Sequence, residues 1–381
     1  MAEVSVVRHS GYDAGVNASV AEAVGLLGGM SAFVRPGQRI LIKPNLLAKA
    51  APGQAVTTHP AVVEAVIELV LAAGGRPLIA DSPGGPFSRG ALAAVYRTCG
   101  LAEVAERTGA ELNYDTSSVT VNHPGGHMLK RLDLIKVVRD VDAVITLPKL
   151  KTHLLTTFTG ATKILFGVVP GLTKVNYHSR LDDLDQFSEM LIDILDVVKP
   201  VLHIMDGIVG MEGAGPRHGR PRPVGVLIAG ANAAAVDAAA CALIGCAPSL
   251  VQPLMAAVRR GYWDGRMESI RILGLPLADA TLTDFHLPVT AGRRFFGNMP
   301  WLRPFIRKNF NPRPAPRADL CTGCGTCLEN CPGKAITIRG KKAVVDEKLC
   351  LRCYCCHELC PSAAVALAFP PLGRLLGGLG G

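Results

Sequence analysis

Hydrophobic residues along the first 290 positions fall into two alternating rhythms. Short apolar runs bounded by turn residues read as strands, and longer stretches with apolar residues three and four apart read as helices. RILIKPNLL is a strand-type run after the Pro36-Gly37 turn. HPAVVEAVIELVLAAGG has helical spacing, with Pro60 at the first helical position and Gly74-Gly75 as its stop. RPLIAD is the next strand, and GALAAVYRTCGLAEVAERTG carries further helix. DAVITLP, PVLHIMDGI and PVGVLIAGA are three more short buried strands. This alternation predicts an α/β domain over residues 1–290 with a largely parallel sheet. The longest apolar stretch, VGVLIAGANAAAVDAAACALIGCA, contains Asn232 and Asp237 and is broken by glycines. It reads as a buried strand and helix rather than a membrane span.

The rhythm changes beyond residue 290. Residues 291–317 are basic and end in the Pro-rich NPRPAPR, which predicts a linker. Residues 318–368 read as a separate small α+β module, in which AITIRGKKAVVD alternates around Arg339-Gly340 as a β-hairpin and AVALA supplies another strand. Residues 369–381, FPPLGRLLGGLGG, read as a flexible tail.

Polar residues collect where the predicted strands of the large domain end. RILI runs into Lys43 and Asn45, PLIA into Asp81, and AVITLP into Lys149, Lys151 and His153. HIM ends in Asp206 and leads to Glu212 within a Gly-rich loop, and VLIAG leads to Asn232 and Asp237. Ligands of open α/β sheets bind outside the carboxyl ends of strands. Lys43, Lys149, Lys151 and the nearby Lys163 suit a carboxylate or phosphate. Asp81, Asp206, Glu212 and Asp237 can pair with those lysines, hold a divalent cation such as Mg²⁺, relay protons or cap helices. On this reading Lys149, Lys151, His153, Asp206 and Glu212 are the catalytic candidates, and Lys43, Asn45, Asp81, Lys163 and Asp237 bind substrate. The DSPGG loop from Asp81 suits a phosphate, and the glycines between Gly210 and Gly219 allow close ligand approach or a simple connection.

Cysteine spacing identifies the chemistry of the small module. CTGCGTCLENCP places Cys321, Cys324, Cys327 and Cys331 before Pro332, and CLRCYCCHELCP places Cys350, Cys353, Cys356 and Cys360 before Pro361. Both runs are C-x2-C-x2-C-x3-C-P and resemble those by which bacterial ferredoxins hold two 4Fe-4S clusters. In that arrangement the fourth cysteine of each run serves the other cluster. The resemblance therefore implies Cys321, Cys324, Cys327 and Cys360 on one cluster, and Cys350, Cys353, Cys356 and Cys331 on the second. Zinc hooks need neither the third cysteine nor the proline, and a disulfide framework needs an oxidising compartment. Cys355 reads as a bystander, and Cys99, Cys241 and Cys246 as core residues.

The formal charge of +9 overstates that of the cluster-loaded protein, because thiolate-bound clusters are anionic. Much of the basic excess lies between Arg293 and Arg317, read as a solvated linker, with a dock for an acidic redox partner or an anionic membrane surface as the alternatives. No nucleic-acid motif accompanies it. The start MAEVSVVRHS has no visible signal peptide, so a cytoplasmic protein without transmembrane segments is expected.

KPNLL, THPAVVEAVIELV, VITLPKLKTH with GATKILFGVVPG, and DGIVGMEGAGP with AVDAAA together resemble the domain-of-unknown-function family 362, whose members often carry a C-terminal ferredoxin module. The resemblance implies that the lysines, acids, Asn45 and His153 named above, Asp81 apart, fall in shared motifs, and it supplies no reaction. The expected function is an iron–sulfur oxidoreductase acting on an anionic small molecule, served by a soluble redox partner. The alternative is a non-enzymatic electron carrier or maturation factor whose α/β domain binds a protein.

Overall fold

The computed structural model describes residues 1–181, 183–288 and 311–371, with Phe305 and Asn309. The chain begins with β1 (Ala2–Arg8), α1 (Val16–Gly25), β2 (Arg39–Pro44), α2 (Pro60–Ala72) and β3 (Arg76–Ile79). Helices α3 (Arg89–Thr98) and α4 (Leu101–Thr108) lead to β4 (Glu111–Leu112), and β5 (Ser118–Asn122) and β6 (Arg131–Ile135) form a separate antiparallel pair. Next come β7 (Ala143–Leu147), β8 (Lys149–His153), β9 (Thr157–Thr159), α5 (Ala161–Ile164), α6 (Gly171–Arg180) and α7 (Leu184–Val198). The long strands β10 (Leu202–Glu212) and β11 (Arg220–Gly230), α8 (Ala233–Leu243), α9 (Gln252–Arg259) and β12 (Ile270–Gly274) follow.

The main sheet runs β12-β1-β11-β10-β7-β2-β3-β4, with β8 and β9 attached along β10. It is parallel from β10 through β7, β2 and β3 to β4, as the alternating pattern requires. Around β11 it is antiparallel, because residues 213–219 are too few for the crossover a parallel neighbour needs. Both faces are covered. Leu41 joins the core under α5, α7, α8 and α9, whereas its neighbours Ile40 and Ile42 join the core under α1 to α4. That two-residue alternation, apolar on each side, is the signature of a strand between two helical layers.

The sheet divides at Pro148. Up to Leu147, β7 is bonded to both β10 and β2. Beyond the proline, β8 pairs with β10 and β9 and leaves β2 behind. The split falls at the carboxyl ends of β2 and β7 and opens a cleft there.

The small module consists of β13 (Arg313–Pro316), α10 (Thr326–Glu329), β14 (Ile336–Arg339), β15 (Lys342–Val345), α11 (Cys355–Leu359) and β16 (Val365–Ala368). The hairpin expected around Gly340 is β14–β15. One expectation is corrected. Arg313–Pro316, read as part of a linker, is an antiparallel partner of Val365–Ala368, with Pro314 buried. Proline is tolerated because this two-stranded ladder is all edge. Most of the basic 291–317 stretch and residues 372–381 of the expected tail lie outside the described residues.

The module seats on the loop between β10 and β11. His218 Nε2 donates to the His357 carbonyl at 2.8 Å, and Arg217 reaches the Leu359 carbonyl at 3.4 Å. A Cβ on Gly215 would stand 2.2 Å from the Thr152 carbonyl, so glycine is required where this loop crosses β8. The Gly-rich loop, read as a site of close ligand approach or a simple connection, contacts the module, and its Pro216 also lines the cleft at the split of the sheet.

Candidate functional site

The cleft at the split is a cavity of about 110 Å³ between the sheet edge and α11. Lys43, Asn45 and Asp81 enter it from the ends of β2 and β3, Lys151 and His153 from β8, and Lys163 from α5. Lys151 and His153 share one side of β8 because side chains two apart in a strand point the same way. Lys43 Nζ lies 3.1 Å from Asp81, whose oxygens also accept the N–H groups of Leu46 and Ser82 at 2.8 Å. Burial lowers the Lys43 ammonium from its usual value despite that neighbour. Lys151 is pushed down well below its ordinary value by burial and by the charge of Lys163. His153 Nδ1 accepts the backbone N–H of Leu155 at 3.1 Å, which leaves the proton on Nε2, 3.4 Å from Glu358.

Three contributors to this cleft were not read as part of it from the sequence. Lys174, on α6, donates to the Ser82 carbonyl and to its hydroxyl, the latter at 2.9 Å. Burial brings Lys174 down to about 7. Glu358 and Cys355 enter from α11, inside the second cysteine run. Burial raises the Glu358 carboxyl to about 7, against the pull of Lys163 and Lys151. Lys174 follows no strand, so strand-end reasoning had no signal for it. Glu358 was hidden by cysteines that drew the eye to metal binding, although a lone acid between two ligands was a readable cue.

Other sequence candidates stand elsewhere. Lys149 and Asp206 are 2.7 Å apart and wholly buried, and Tyr12 bonds to both, at 2.7 and 2.8 Å. The Tyr12 ring stacks on His59 at 3.5 Å, and burial and Asp206 raise its phenol, which stays a neutral donor. This network ties the β1–α1 loop to β8 and β10 and does not line the cleft. Asp237 accepts from Ala161 N, Thr162 N and Thr162 Oγ1 at 2.6, 2.9 and 2.6 Å, so it caps α5 from α8. Glu212 closes the β10–β11 hairpin through Arg220 at 3.0 Å and the His286 N–H at 3.0 Å. Its ladder partner is Arg220.

In the module, two small cavities are each lined by four cysteines drawn from both runs. Cys321, Cys324, Cys327 and Cys360 line one, and Cys331, Cys350, Cys353 and Cys356 the other. Backbone N–H groups point at these sulfurs: Ala343 to Cys321 at 3.4 Å, Ala364 to Cys360 at 3.2 Å, Ala335 to Cys331 at 3.2 Å and Arg352 to Cys350 at 3.4 Å. Four inward thiols with N–H donors on the sulfurs fit a 4Fe-4S cluster in each cavity. Cys355 is in neither set and faces the cleft instead.

His123, Asp193 and Asp196 also bring ligand atoms within 4.8 Å of one another, a donor set suited to a divalent cation. Arg260 supplies positive charge there, 2.9 Å from Asp193 and bonded to Asp196, and Asp193 accepts three further backbone N–H groups. Among the described residues no helix is long and apolar enough to cross a membrane.

Fold and site define an iron–sulfur protein in which an α/β sheet domain is joined to a two-cluster ferredoxin module. Residues 320–364 match the 4Fe-4S dicluster domain, and the protein carries two such clusters. Residues 40–242 match the family described as Domain of unknown function (DUF362), and the chain belongs to that family. It is 40% identical over 264 residues to a thylakoid-associated protein of Synechocystis sp., a span of 68% of this chain and 78% of that one. Among solved structures, the lactate racemase apoprotein of Thermoanaerobacterium thermosaccharolyticum aligns at TM-score 0.36 and 14% identity, over 56% of this chain and 51% of that one. A Thermotoga maritima protein aligns at TM-score 0.32 and 13% identity, over 51% and 50%. The chain spans about half the length of each of these two structures, and neither likeness carries functional weight.

Proposed function

We propose that the protein is an oxidoreductase that exchanges electrons with a small anion in the cleft, its two cysteine sets each holding one cluster. The observation that carries this is the place of α11. Cys356 and Cys360 of that stretch line the two cysteine cavities, while Cys355 and Glu358, from the same turn and a half, line the lysine cleft. A ligand seated there is separated from the cysteine sets by little more than one helix. When bound, the clusters supply one electron each.

The chain's own residues do the rest. Lys151 and Lys163 hold the anion and stabilise negative charge that grows on it. Leu46, Leu47, Phe166 and Leu359 wall the cavity and limit water, which strengthens those interactions. His153 holds a proton on Nε2 at the cavity wall. A soluble redox protein is the proposed partner and the cytoplasm the proposed location. The name of the Synechocystis relative ties that protein to thylakoids, so fractionation of cells is the check on location.

The test is anaerobic. Protein reduced with dithionite and freed of excess reductant is mixed with a panel of carboxylates and phosphates while cluster absorbance is followed. At least one anion is expected to accelerate reoxidation, and Lys151→Met to abolish the acceleration. Reduced clusters indifferent to the whole panel would leave the carrier role instead.

A further inference from the structure

The cleft has an unbalanced set of charges. Lys43 is paired with Asp81, whereas the other three lysines have no close ion pair among the described residues, and Glu358 acts on Lys151 and Lys163 only from farther off. Lys151, 1% exposed, donates to Asn45 Oδ1 at 2.8 Å and to the Val56 carbonyl at 2.6 Å, both neutral. Among the described residues Lys174 donates only to the carbonyl and hydroxyl of Ser82, again neutral. Lys163 Nζ has no hydrogen-bond partner among the described residues. None of the three has a carboxylate within 4.0 Å among the described residues. The remaining acid of the cavity, Glu358, sits with His153. Ammonium groups buried, as Lys151 is, or half-buried, as Lys163 and Lys174 are, without a close counter-ion are costly, and a bound anion lowers that cost.

The three lysines also stand at two poles. Lys174 and Ser82 adjoin the Lys43–Asp81 pair, whose charges bear on Lys174. Lys151 and Lys163 act on each other and face Glu358, at the module side. A single compact charge satisfies one pole. A ligand with a charge at each end satisfies both.

We propose that the cleft selects a short dianion of the dicarboxylate class, one end held by Lys151 and Lys163 and the other by Lys174 with Ser82. At about 110 Å³ the cavity is well below the roughly 300–1,000 Å³ of drug-sized sites, which suits a short chain of about two to four carbons. Lys174 is then the residue that reads the second charge. The inference rests on the cleft as an anion site, and it does not require turnover.

Isothermal titration of the anaerobic, cluster-loaded protein at fixed ionic strength decides it. Oxalate, malonate and succinate are compared with acetate and propionate, for the wild type, Lys174→Gln and Lys174→Arg. The best dicarboxylate is expected to bind at least about tenfold more tightly than a monocarboxylate of similar length, the worth of one charge-assisted hydrogen bond. Lys174→Gln should bring that ratio close to one while leaving monocarboxylate binding in place, and Lys174→Arg should restore part of it. Equal affinity for one and two charges in the wild type overturns the proposal, as does an intact preference in a folded Lys174→Gln. If that variant fails to fold, the wild-type series decides alone. Dicarboxylates that bind but never reoxidise the clusters would remove the redox reading and leave this one. A monoanion that alone binds and reoxidises them would do the reverse.

Discussion

A lysine closed off from water keeps its proton only while something nearby rewards the charge. Lys174, brought down to about 7 by burial, is neutral in a growing fraction of molecules above that pH. If Lys174 reads the second charge as proposed, only its protonated form does so, so affinity for a dicarboxylate is expected to fall as pH rises through 7, and binding above 7 should take up a proton. Titrations in buffers of different ionisation enthalpy measure that uptake. His203 gives a stability effect of its own. Its Nδ1 lies 2.6 Å from Thr146 Oγ1, and burial lowers it to about 3, whereas an unfolded histidine titrates near 6.5. The unfolded chain therefore binds the extra proton between those values, so this contribution is intact above about 6.5 and is lost as pH falls towards 3. Between pH 7 and 5 the wild type should lose more stability than His203→Gln, as read by anaerobic denaturant unfolding. Lys43, Lys151 and Lys163 were legible because each follows or abuts an apolar strand. Lys174 was not, since its place depends on α6 folding back over the β3 loop.

Elements position these residues through a few close approaches. Asp237 is the acceptor for the first turn of α5, and a Cβ on Gly160 would stand 1.9 Å from its carboxylate. Asp237→Ala is expected to cost roughly 2–4 kcal/mol, since two buried N–H groups lose their acceptor. A Cβ on Gly167 would lie 2.1 Å from Asp81 Oδ1 and 2.5 Å from Lys43 Nζ. Gly167→Ala should split that buried pair at a cost of about 3–5 kcal/mol and weaken anion binding with it. Both are measured by denaturant unfolding under anaerobic conditions. In the second cysteine run, Cys355→Ser should leave the iron content unchanged, because its sulfur faces the cleft. Cys356→Ser should lower the iron by about four atoms per chain, one cluster. The sequence pattern had marked Asp237 for substrate, with a helix cap as the alternative. A cap formed between helices 75 positions apart cannot be read from spacing along one of them.

At the scale of the molecule, the cleft belongs to neither part alone. The sheet edge supplies lysines, α11 supplies Glu358, Cys355 and Leu359, and the β10–β11 loop joins them through Arg217, His218 and Pro216. Combined Arg217→Ala and His218→Ala substitution is expected to speed hydrogen exchange in α11 and to weaken anion binding, while exchange in β2, β7 and β10 stays slow. Equal exchange in α11 would show that the module is held by other contacts.

Local patterns alone determined the alternation of strands and helices, the two cysteine runs and the lysines at the strand ends. Each of these depends on residues close together in the chain, through backbone periodicity or the reach of a short loop. Tertiary structure decided which charges meet. It withdrew Lys149 and Asp206 into a private ion pair, turned Glu212 and Asp237 to holding strands and helices, and brought Lys174 and Glu358 into one cavity. Charge pairing acts through space over a few ångströms, and only the folded chain sets those distances.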